Sequence, residues 1–172
     1  MASNIQLEHL LKRTADTQAF TKLYELIAPG IYAYALSILK NSHDAEDVLH
    51  DCFLRIRENA DAYIPQGKPM AWILTIAKNL CMKQLRQRQL STREVLEFDG
   101  ATVSDPEERL LILACLRALS LEEQQIVVMH AVSGMKHRQI AQFLGLKLST
   151  VLSKYHRAIQ KMKHYMEKEG SL

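Results

Sequence analysis

Hydrophobic residues recur at intervals of three and four along nearly the whole chain, as they do on one face of an α-helix. The clearest run is the set Ala45, Val48, Leu49, Cys52, Phe53 and Ile56. No segment alternates apolar and polar residues long enough to predict a β-strand. The chain must therefore fold by packing helices together, and the pattern predicts an all-α protein of two small helical domains.

The first part of the chain has signals for three helical stretches. One covers residues 5–40, with a break or kink expected at Pro29-Gly30, because proline lacks an N–H and clashes with the preceding turn. A second covers residues 44–59, with Ser42 or His43 as its cap. A third follows from Pro69 to about Gln89, with the proline at the first helical position, where no hydrogen bond is lost.

A polar stretch without periodicity, residues 93–104, is predicted to link the two domains, 1–92 and 105–172. After it, Asp105-Pro106 begins a helix in the usual way, with an N-cap followed by proline. Ser120 and Glu123 then form a capping box at the start of the next predicted helix.

Charge is strongly segregated behind a net charge of only +3, from 22 basic and 19 acidic residues. Neither 62–93 nor 124–166 contains an acidic residue, and both are rich in lysine and arginine. Acidic residues gather instead in 44–61 and 94–108. Two basic surfaces joined by an acidic connector are typical of a protein that contacts a polyanion at two places.

The outward side of the predicted 44–59 helix carries Asp47, Asp51, Leu54 and Arg55. A leucine among charges favours a face that docks on another protein, and a solvated face with a stray leucine is the alternative. The next helix has a basic, amide-bearing side beside two aromatic residues. Its candidate contacts with nucleic acid are Tyr63, Trp72, Lys78, Asn79, Lys83 and Arg86. Such cations reach phosphates, and such aromatic rings stack on unpaired bases, although Trp72 can instead anchor the core.

Residues 137–157 have the layout of a helix-turn-helix, in which Gly145 permits the tight turn. Ser149 is predicted to start the second helix. That helix is predicted to bury Val151, Tyr155, Ala158, Ile159 and Met162. It is predicted to present Thr150, Ser153, Lys154, Arg157 and Lys161 to DNA. Hydroxyls near the helix start and cations beyond them suit base edges and phosphates, whereas a generic helical hairpin is the alternative.

Other classes of protein find little support. No nucleophile motif, phosphate-binding loop or metal-ligand spacing is present, so we expect no enzyme, no cofactor, no metal and no small-molecule substrate. No apolar run approaches the length of a membrane span and no signal-peptide pattern opens the chain, so we expect a cytoplasmic protein. Cys52, Cys81 and Cys115 are expected to be buried apolar groups in a reducing compartment.

In order and spacing, these segments resemble the extracytoplasmic-function (ECF) sigma factors of bacterial RNA polymerase. The resemblance rests on 44–56 and 72–86 in the first domain, and on 119–134 and 140–158 in the second. It implies sigma domain 2 at residues 1–92 and sigma domain 4 at 105–172.

The resemblance also implies roles for the surfaces. The Asp47, Asp51, Leu54 and Arg55 face would dock on the clamp coiled coil of core RNA polymerase. The Tyr63 loop and the basic helix after it would melt and read the minus-ten element of promoter DNA. The helix-turn-helix would bind the minus-thirty-five element, the linker would pass through the polymerase, and a surface shared by both domains would bind an anti-sigma factor.

The sequence departs from the usual family pattern at a few positions. His50 stands in place of a glutamine and Lys83 in place of a common aspartate. Arg138 and Gln139 replace acidic residues, and Leu152 replaces a usual lysine. The resemblance therefore supports neither a polymerase contact at His50 nor a phosphate contact at Leu152, while Lys83 adds a positive charge.

A stand-alone helix-turn-helix regulator with a helical sensing domain is the competing hypothesis. It predicts DNA binding without polymerase, commonly as a dimer. It leaves the acidic helix and the first basic helix without a role.

Overall fold

The structure is a computed structural model that describes residues 3–90, 115–116 and 118–169. Its helices are α1 (Asn4–Leu11), α2 (Thr17–Leu39), α3 (Ser42–Asn59), α4 (Pro69–Leu90), α5 (Leu121–Ala131), α6 (His137–Leu144) and α7 (Leu148–Glu169). A 3₁₀ turn, Ala60–Ala62, follows α3. The described residues contain no strand, so the all-α prediction is confirmed. The predicted linker, 93–104, and the predicted helix start at Asp105-Pro106 lie outside the described residues.

Of the break or kink expected at Pro29-Gly30, the break is wrong, because α2 continues through both residues. Apolar side chains are buried on both sides of the proline, from Ala19 to Leu39, and this packing outweighs the lost backbone hydrogen bond. The interruption falls earlier, between α1 and α2. There the carboxylate of Asp16 caps α2 by accepting hydrogen bonds from backbone N–H groups, which lower its pKa.

Other helix ends follow local chemistry closely. The cap of α3 is Asn41, whose side chain accepts from the Asp44 N–H at 3.0 Å, so the prediction of Ser42 or His43 is wrong by one or two positions. The helix therefore begins directly after Asn41, whose side-chain oxygen accepts the hydrogen bond from the Asp44 N–H. The capping box of Ser120 and Glu123 is confirmed.

In the second domain, Gly145 adopts a φ of 68° and ends α6, as predicted for a tight helix-turn-helix turn. The last helix, α7, starts one residue before the predicted Ser149. Cys52, Cys81 and Cys115 are all buried, as predicted.

α2 lies at the centre of the molecule and packs against α1, α3, α4 and α5. One continuous apolar core joins the first domain (α1–α4) to the second domain (α5–α7), since Ile31 and Tyr34 share it with Ile126 and Met129. Full burial of such a side chain contributes about 1.5–3 kcal/mol, so this shared core holds the two domains together. A smaller cluster of Leu119, Val127 and Ala158 joins α5 to α7.

Candidate polymerase and nucleic-acid interfaces

The α3 face consists of Asp47, Asp51, Leu54 and Arg55, and all four are exposed. The opposite side of the helix is the buried stripe predicted from its periodicity. Leu54 is 59% exposed although it is large and apolar. Arg55 forms a 3.4 Å ion pair with exposed Glu58, a contact that solvent screening makes weak. The structure therefore brings the four predicted residues together on one accessible surface.

The α4 face consists of Tyr63, Trp72, Lys78, Asn79, Lys83 and Arg86. Tyr63 lies in the loop before α4, and its ring centroid is 5.1 Å from that of Trp72 on the helix. Both rings are half-buried, so neither is a fully enclosed core anchor. Asn79, Lys83 and Arg86 are exposed, and Lys78 is half-buried.

Glu8 of α1 holds the loop before α4 in place. Its carboxylate accepts hydrogen bonds from the Tyr63 hydroxyl and from the Gly67 N–H, each at 2.8 Å. Burial, together with this bond to Glu8, raises the pKa of Tyr63 to about 12. Asn4 adds a hydrogen bond to the carbonyl of Gly67 at 2.7 Å, so α1 fixes both ends of the segment that carries Tyr63.

The second domain faces this surface across a cleft of about 650 Å³. Lys68 donates a hydrogen bond of 3.0 Å to the side-chain oxygen of Gln142 on α6. The Lys78 ammonium lies 5.4 Å from the ring centroid of Phe143, also on α6, in a cation–π contact. Tyr63 and Trp72 line the same cleft.

The α7 face consists of Thr150, Leu152, Ser153, His156 and Arg157. All of them are exposed except half-buried Thr150. Predicted contacts Thr150, Ser153 and Arg157 belong to this face, while Leu152 and His156 were not predicted and could have been found from the helical spacing of the other three.

Predicted DNA contacts Lys154 and Lys161 are engaged within the chain. Lys154 pairs with Glu122 at 2.8 Å, and Lys161 pairs with buried Glu123 at 2.8 Å. Burial would raise the pKa of Glu123, but hydrogen bonds from Lys161 and Ser120 hold it below its usual value. Both lysines thus tie α7 to the start of α5.

The prediction that α7 buries Ile159 is wrong, because its side chain is 40% exposed. The neighbouring Ala158 is the residue that faces the α5–α7 cluster. Ile159 instead lies with Met162 and Met166 along an open apolar groove on the far half of α7.

Three rings meet where α5, α6 and α7 join. The imidazoles of His130 and His137 stack at 4.1 Å, and Tyr155 contacts them edge-on at 5.0 and 4.7 Å. His130 Nδ1 lies 2.9 Å from the Met135 carbonyl oxygen. Burial, then the nearby His130 and His156, lower the pKa of His137. Among the described residues no group of three or more histidine, cysteine or acidic side chains is arranged to hold a metal.

Comparison with known proteins identifies the family of this chain. The family model described as Sigma-70 region 2 matches residues 23–90, and that described as Sigma-70, region 4 matches residues 109–162. The ECF RNA polymerase sigma factor SigE of Mycolicibacterium smegmatis is 30% identical over 92% of this chain, which spans 66% of that relative. The ECF RNA polymerase sigma factor SigK of Mycobacterium sp. (strain KMS) is 24% identical over 92% of this chain and 89% of its own length. This chain belongs to the ECF sigma factors.

Solved structures of two sigma factors share the fold. The sigma factor RpoE, in complex with the anti-sigma factor NepR from Bartonella quintana, has a TM-score of 0.69 at 22% identity, covering 88% of this chain and 98% of its own. CnrH, in complex with the cytosolic domain of CnrY, has a TM-score of 0.63 at 21% identity, covering 98% and 99%.

As a sigma factor, the chain supports promoter-specific transcription initiation with RNA polymerase. The α3 and α4 faces lie within the region 2 match, and the α7 face lies within the region 4 match. Helix α1, which holds the Tyr63 loop, precedes the region 2 match. A stand-alone regulator is not favoured, because it leaves the region 2 match unexplained. No helix among the described residues is long and apolar enough to cross a bilayer.

The residues whose role depends on distant partners were not predicted from the sequence. Glu8 braces the loop of Tyr63, 55 positions away, and Gln142 bonds Lys68 across 74 positions. No local signal marks either residue. Glu123 was predicted only as part of the capping box, although it also pairs with Lys161, and Glu122, which pairs with Lys154, was not predicted.

Proposed function

We propose that this sigma factor divides initiation among its three exposed faces. The α3 face docks on the clamp coiled coil of core polymerase. An apolar side chain ringed by charge is the kind of anchor that protein interfaces bury, and Leu54 provides it. The flanking carboxylates of Asp47 and Asp51 and the guanidinium of Arg55 favour a partner with complementary charges.

The α4 face binds the melted minus-ten element. Tyr63 and Trp72 offer ring surfaces for an unstacked base of the non-template strand. Lys78, Lys83 and Arg86 follow them along the helix and suit the phosphates of that strand, while Asn79 suits a base edge. Extruding a base costs a few kcal/mol, and the loop held by Glu8 offsets this cost because it is ordered before DNA arrives.

The α7 face enters the major groove at the minus-thirty-five element. Ser153 and Arg157 are exposed on this face and suit base edges and phosphates, and the Arg157 Nε also donates a hydrogen bond of 3.4 Å to the Ser153 carbonyl. Leu152 suits the methyl group of a thymine, and His156 suits a phosphate or a guanine edge. Lys154 and Lys161, which were predicted as DNA contacts, position α7 through Glu122 and Glu123, and reach phosphates only by leaving those partners.

Further partners follow from the same role. We propose an anti-sigma factor as a partner, since the structural relatives above are complexes with NepR and with the cytosolic domain of CnrY. We also place the protein in the cytoplasm with RNA polymerase, with no catalytic activity or cofactor of its own. The linker, residues 93–104, is proposed to run through the polymerase.

The observation that carries the proposal is the presence of matches to both sigma regions, in order, on a chain whose α3, α4 and α7 faces are solvent-accessible. The test is transcription in vitro with core polymerase, on promoters selected from genomic DNA by the same holoenzyme. Promoter-dependent transcripts are expected. Absence of core binding and of transcripts would overturn the proposal.

A second experiment tests the assignment of the α7 face. Ser153→Ala with Arg157→Ala is expected to weaken binding to the upstream element about tenfold, because one or two base contacts are worth about 1–3 kcal/mol each. Core binding is expected to be unchanged. Lys163→Ala is the matched control, since it removes an exposed cation that lies on the same helix about 9 Å beyond Arg157 along the axis. Equal effects of the two changes would contradict the assignment.

A further inference from the structure

Two lysines of α7 pair with consecutive acidic residues at the start of α5, but the two ion pairs are built differently. The Lys161 ammonium lies 3.1 and 2.8 Å from the two carboxylate oxygens of Glu123, which also accepts a hydrogen bond of 2.9 Å from the Ser120 N–H. Lys154 contacts one oxygen of Glu122 at 2.8 Å. The Glu123 side chain is 5% exposed and the Glu122 side chain is 52% exposed. One carboxylate is therefore enclosed by the fold, and the other meets water.

This difference in burial decides which lysine can change partner. If Lys161 left Glu123, a buried carboxylate would lose its cation, and uncompensated buried charges are strongly destabilising. If Lys154 left Glu122, water would solvate the exposed carboxylate, and ion pairs of this kind contribute little to stability. Lys154 can therefore exchange its partner at a small cost in free energy, whereas Lys161 stays where it is.

Lys154 also borders the surface that is proposed to read duplex DNA. It stands four residues after Thr150 and three residues before Arg157, and this spacing makes side chains neighbours on the surface of a helix. Thr150 and Arg157 both belong to the α7 face. The flexible four-carbon stem of a lysine allows its ammonium to turn from one anion to another. Once Lys154 leaves Glu122, its charge is available to a phosphate beside the α7 face.

A DNA phosphate is the stronger competitor for this ammonium. A lysine that neutralises a phosphate releases counterions condensed on the DNA, and an isolated carboxylate such as that of Glu122 offers no such gain. An ammonium that bridged both groups would hold two anions side by side, and like charges at short distance repel each other. Exchange from carboxylate to phosphate is therefore favoured over a shared contact.

From these contacts we propose that Glu122 limits the affinity of the α7 face for duplex DNA: it holds Lys154 in the free protein and releases it to a phosphate on binding, while Lys161 remains paired with Glu123. The proposal rests on the function proposed above, because it concerns the same α7 face. Each binding event must break the Glu122 pair, which weakens the part of the attraction that does not depend on sequence. The base contacts of Ser153 and Arg157 then supply a larger share of the binding.

The salt dependence of binding tests the exchange. The probe is a fluorescent duplex that carries the upstream element and ends before the minus-ten element, bound by the holoenzyme over a range of KCl concentrations. Lys154→Ala is expected to reduce the slope of log K against log salt concentration by about 0.9, because one phosphate contact is lost. Lys161→Gln is the matched control, since it also removes one positive charge but keeps a hydrogen-bond donor for Glu123. An unchanged slope for Lys154→Ala, or an equal loss in both variants, would overturn the proposal.

Removing the competing carboxylate should have the opposite effect on affinity. Glu122→Gln is expected to tighten binding of the same duplex about threefold at constant salt, because the ion pair no longer has to be broken. Its slope should stay that of the wild type, since the phosphate contact is retained. Glu167→Gln is the matched control: this exposed acid also pairs with a lysine of α7, Lys163 at 3.7 Å, but lies about 15 Å beyond Arg157 along the axis. A gain for Glu122→Gln no larger than that for Glu167→Gln would contradict the proposal.

A double variant shows whether Glu122 acts through Lys154. In the Lys154→Ala background, Glu122→Gln is expected to lose most of its threefold gain, because no lysine remains to be released. A gain that persisted in full would show that the carboxylate repels DNA directly, and the exchange would be refuted. Circular dichroism checks that the helices of each variant are intact.

The outcomes keep this proposal separate from the proposed function. If the wild-type holoenzyme did not prefer the upstream duplex to a scrambled one, the assignment of the α7 face would fail. If Arg157→Ala removed that preference while Lys154→Ala left the salt slope unchanged, only the exchange at Glu122 would fail.

Discussion

The two basic faces of this sigma factor have similar chemistry but different accessibility. Both carry cations beside hydroxyl or amide groups. The whole α7 face lies on the outer surface, whereas Tyr63, Trp72 and Lys78 of the α4 face line a cleft that α6 borders. A single-strand site in a cleft between the domains and a duplex site on the outer surface are suited to an order of events in which contact with duplex DNA comes before melting.

The largest expected effect comes from removing the core that couples the two faces. Tyr34→Ala deletes a fully buried ring that supports Phe143 of α6, and it should lower the free energy of unfolding by about 3–5 kcal/mol in urea denaturation. Tyr24→Ala is the control, because that ring is 41% exposed and its removal should cost much less. Similar losses for both variants would show that the shared core does not contribute as described.

A pair of single changes tests whether the faces act on different forms of DNA. Lys78→Ala is expected to reduce open-complex formation about tenfold while leaving upstream duplex binding unchanged. Arg157→Ala is expected to do the reverse, since its loss removes about 1–3 kcal/mol of duplex contact. Fluorescence anisotropy with upstream duplex and permanganate footprinting measure the two steps. Loss of both steps in either variant would remove the distinction between the faces.

A smaller effect is expected at the α3 face. Because this face is proposed to contact polymerase and not DNA, it serves as a reference for the two DNA-binding faces. Leu54→Ala should weaken binding to core polymerase about fivefold, as expected for an interface anchor worth about 1 kcal/mol. Ile5→Ala is the control, because Ile5 is a large apolar side chain that is 80% exposed on α1. DNA binding by the free protein should not change. An equal loss for Ile5→Ala would point to non-specific association.

The smallest predicted effect is a dependence on pH near the α7 face. Its source is His137, whose ring nitrogen Nε2 is buried without a hydrogen-bond partner among the described residues. His130, Tyr155 and His156 face it from α5 and α7. Burial and these imidazoles lower the pKa of His137 below its ordinary 6.5. The unfolded chain therefore takes up the proton first, and stability is lost as the pH falls through 6.5.

The measurement is the thermal midpoint at pH 7.5 and at pH 5.5, where wild type is expected to lose a few degrees. His137→Gln should reduce that loss. His164→Gln is the matched control, because this imidazole is exposed on α7, and its removal should leave the pH dependence intact. A wild-type midpoint that does not fall at pH 5.5 would contradict the role of His137.

Local rules predicted most of the helices, and tertiary contacts account for the errors. The stripe of α3 and the turn at Gly145 depend on residues close in sequence, so spacing and chain chemistry were sufficient. The break expected at Pro29 followed from the missing N–H of proline alone. The burial of apolar side chains on both sides of Pro29 keeps α2 continuous. The pairing of Lys161 with Glu123 spans 38 positions, which no local pattern reveals.

The candidate surfaces also divide into those that local helical spacing predicts and those that depend on tertiary contacts. Helical spacing placed the α3 face correctly on one side of the helix, because the side opposite a buried stripe is exposed by geometry. The contacts of α6 with Lys68 and Lys78 depend instead on how the two domains meet. The absence of a side chain at Gly30 also belongs to this contact between domains, but its meaning needed the position of Ser133.

The buried cysteines have a consequence for chemistry in solution. Burial raises the pKa of Cys52 and of Cys81 to about 12, so at neutral pH almost none of either thiol is in the reactive thiolate form. Peroxide and maleimide should therefore attack these two thiols slowly while the chain is folded. A cysteine introduced on the surface can then carry a fluorophore with little competition from them, and oxidant stress can leave this part of the protein chemically unchanged.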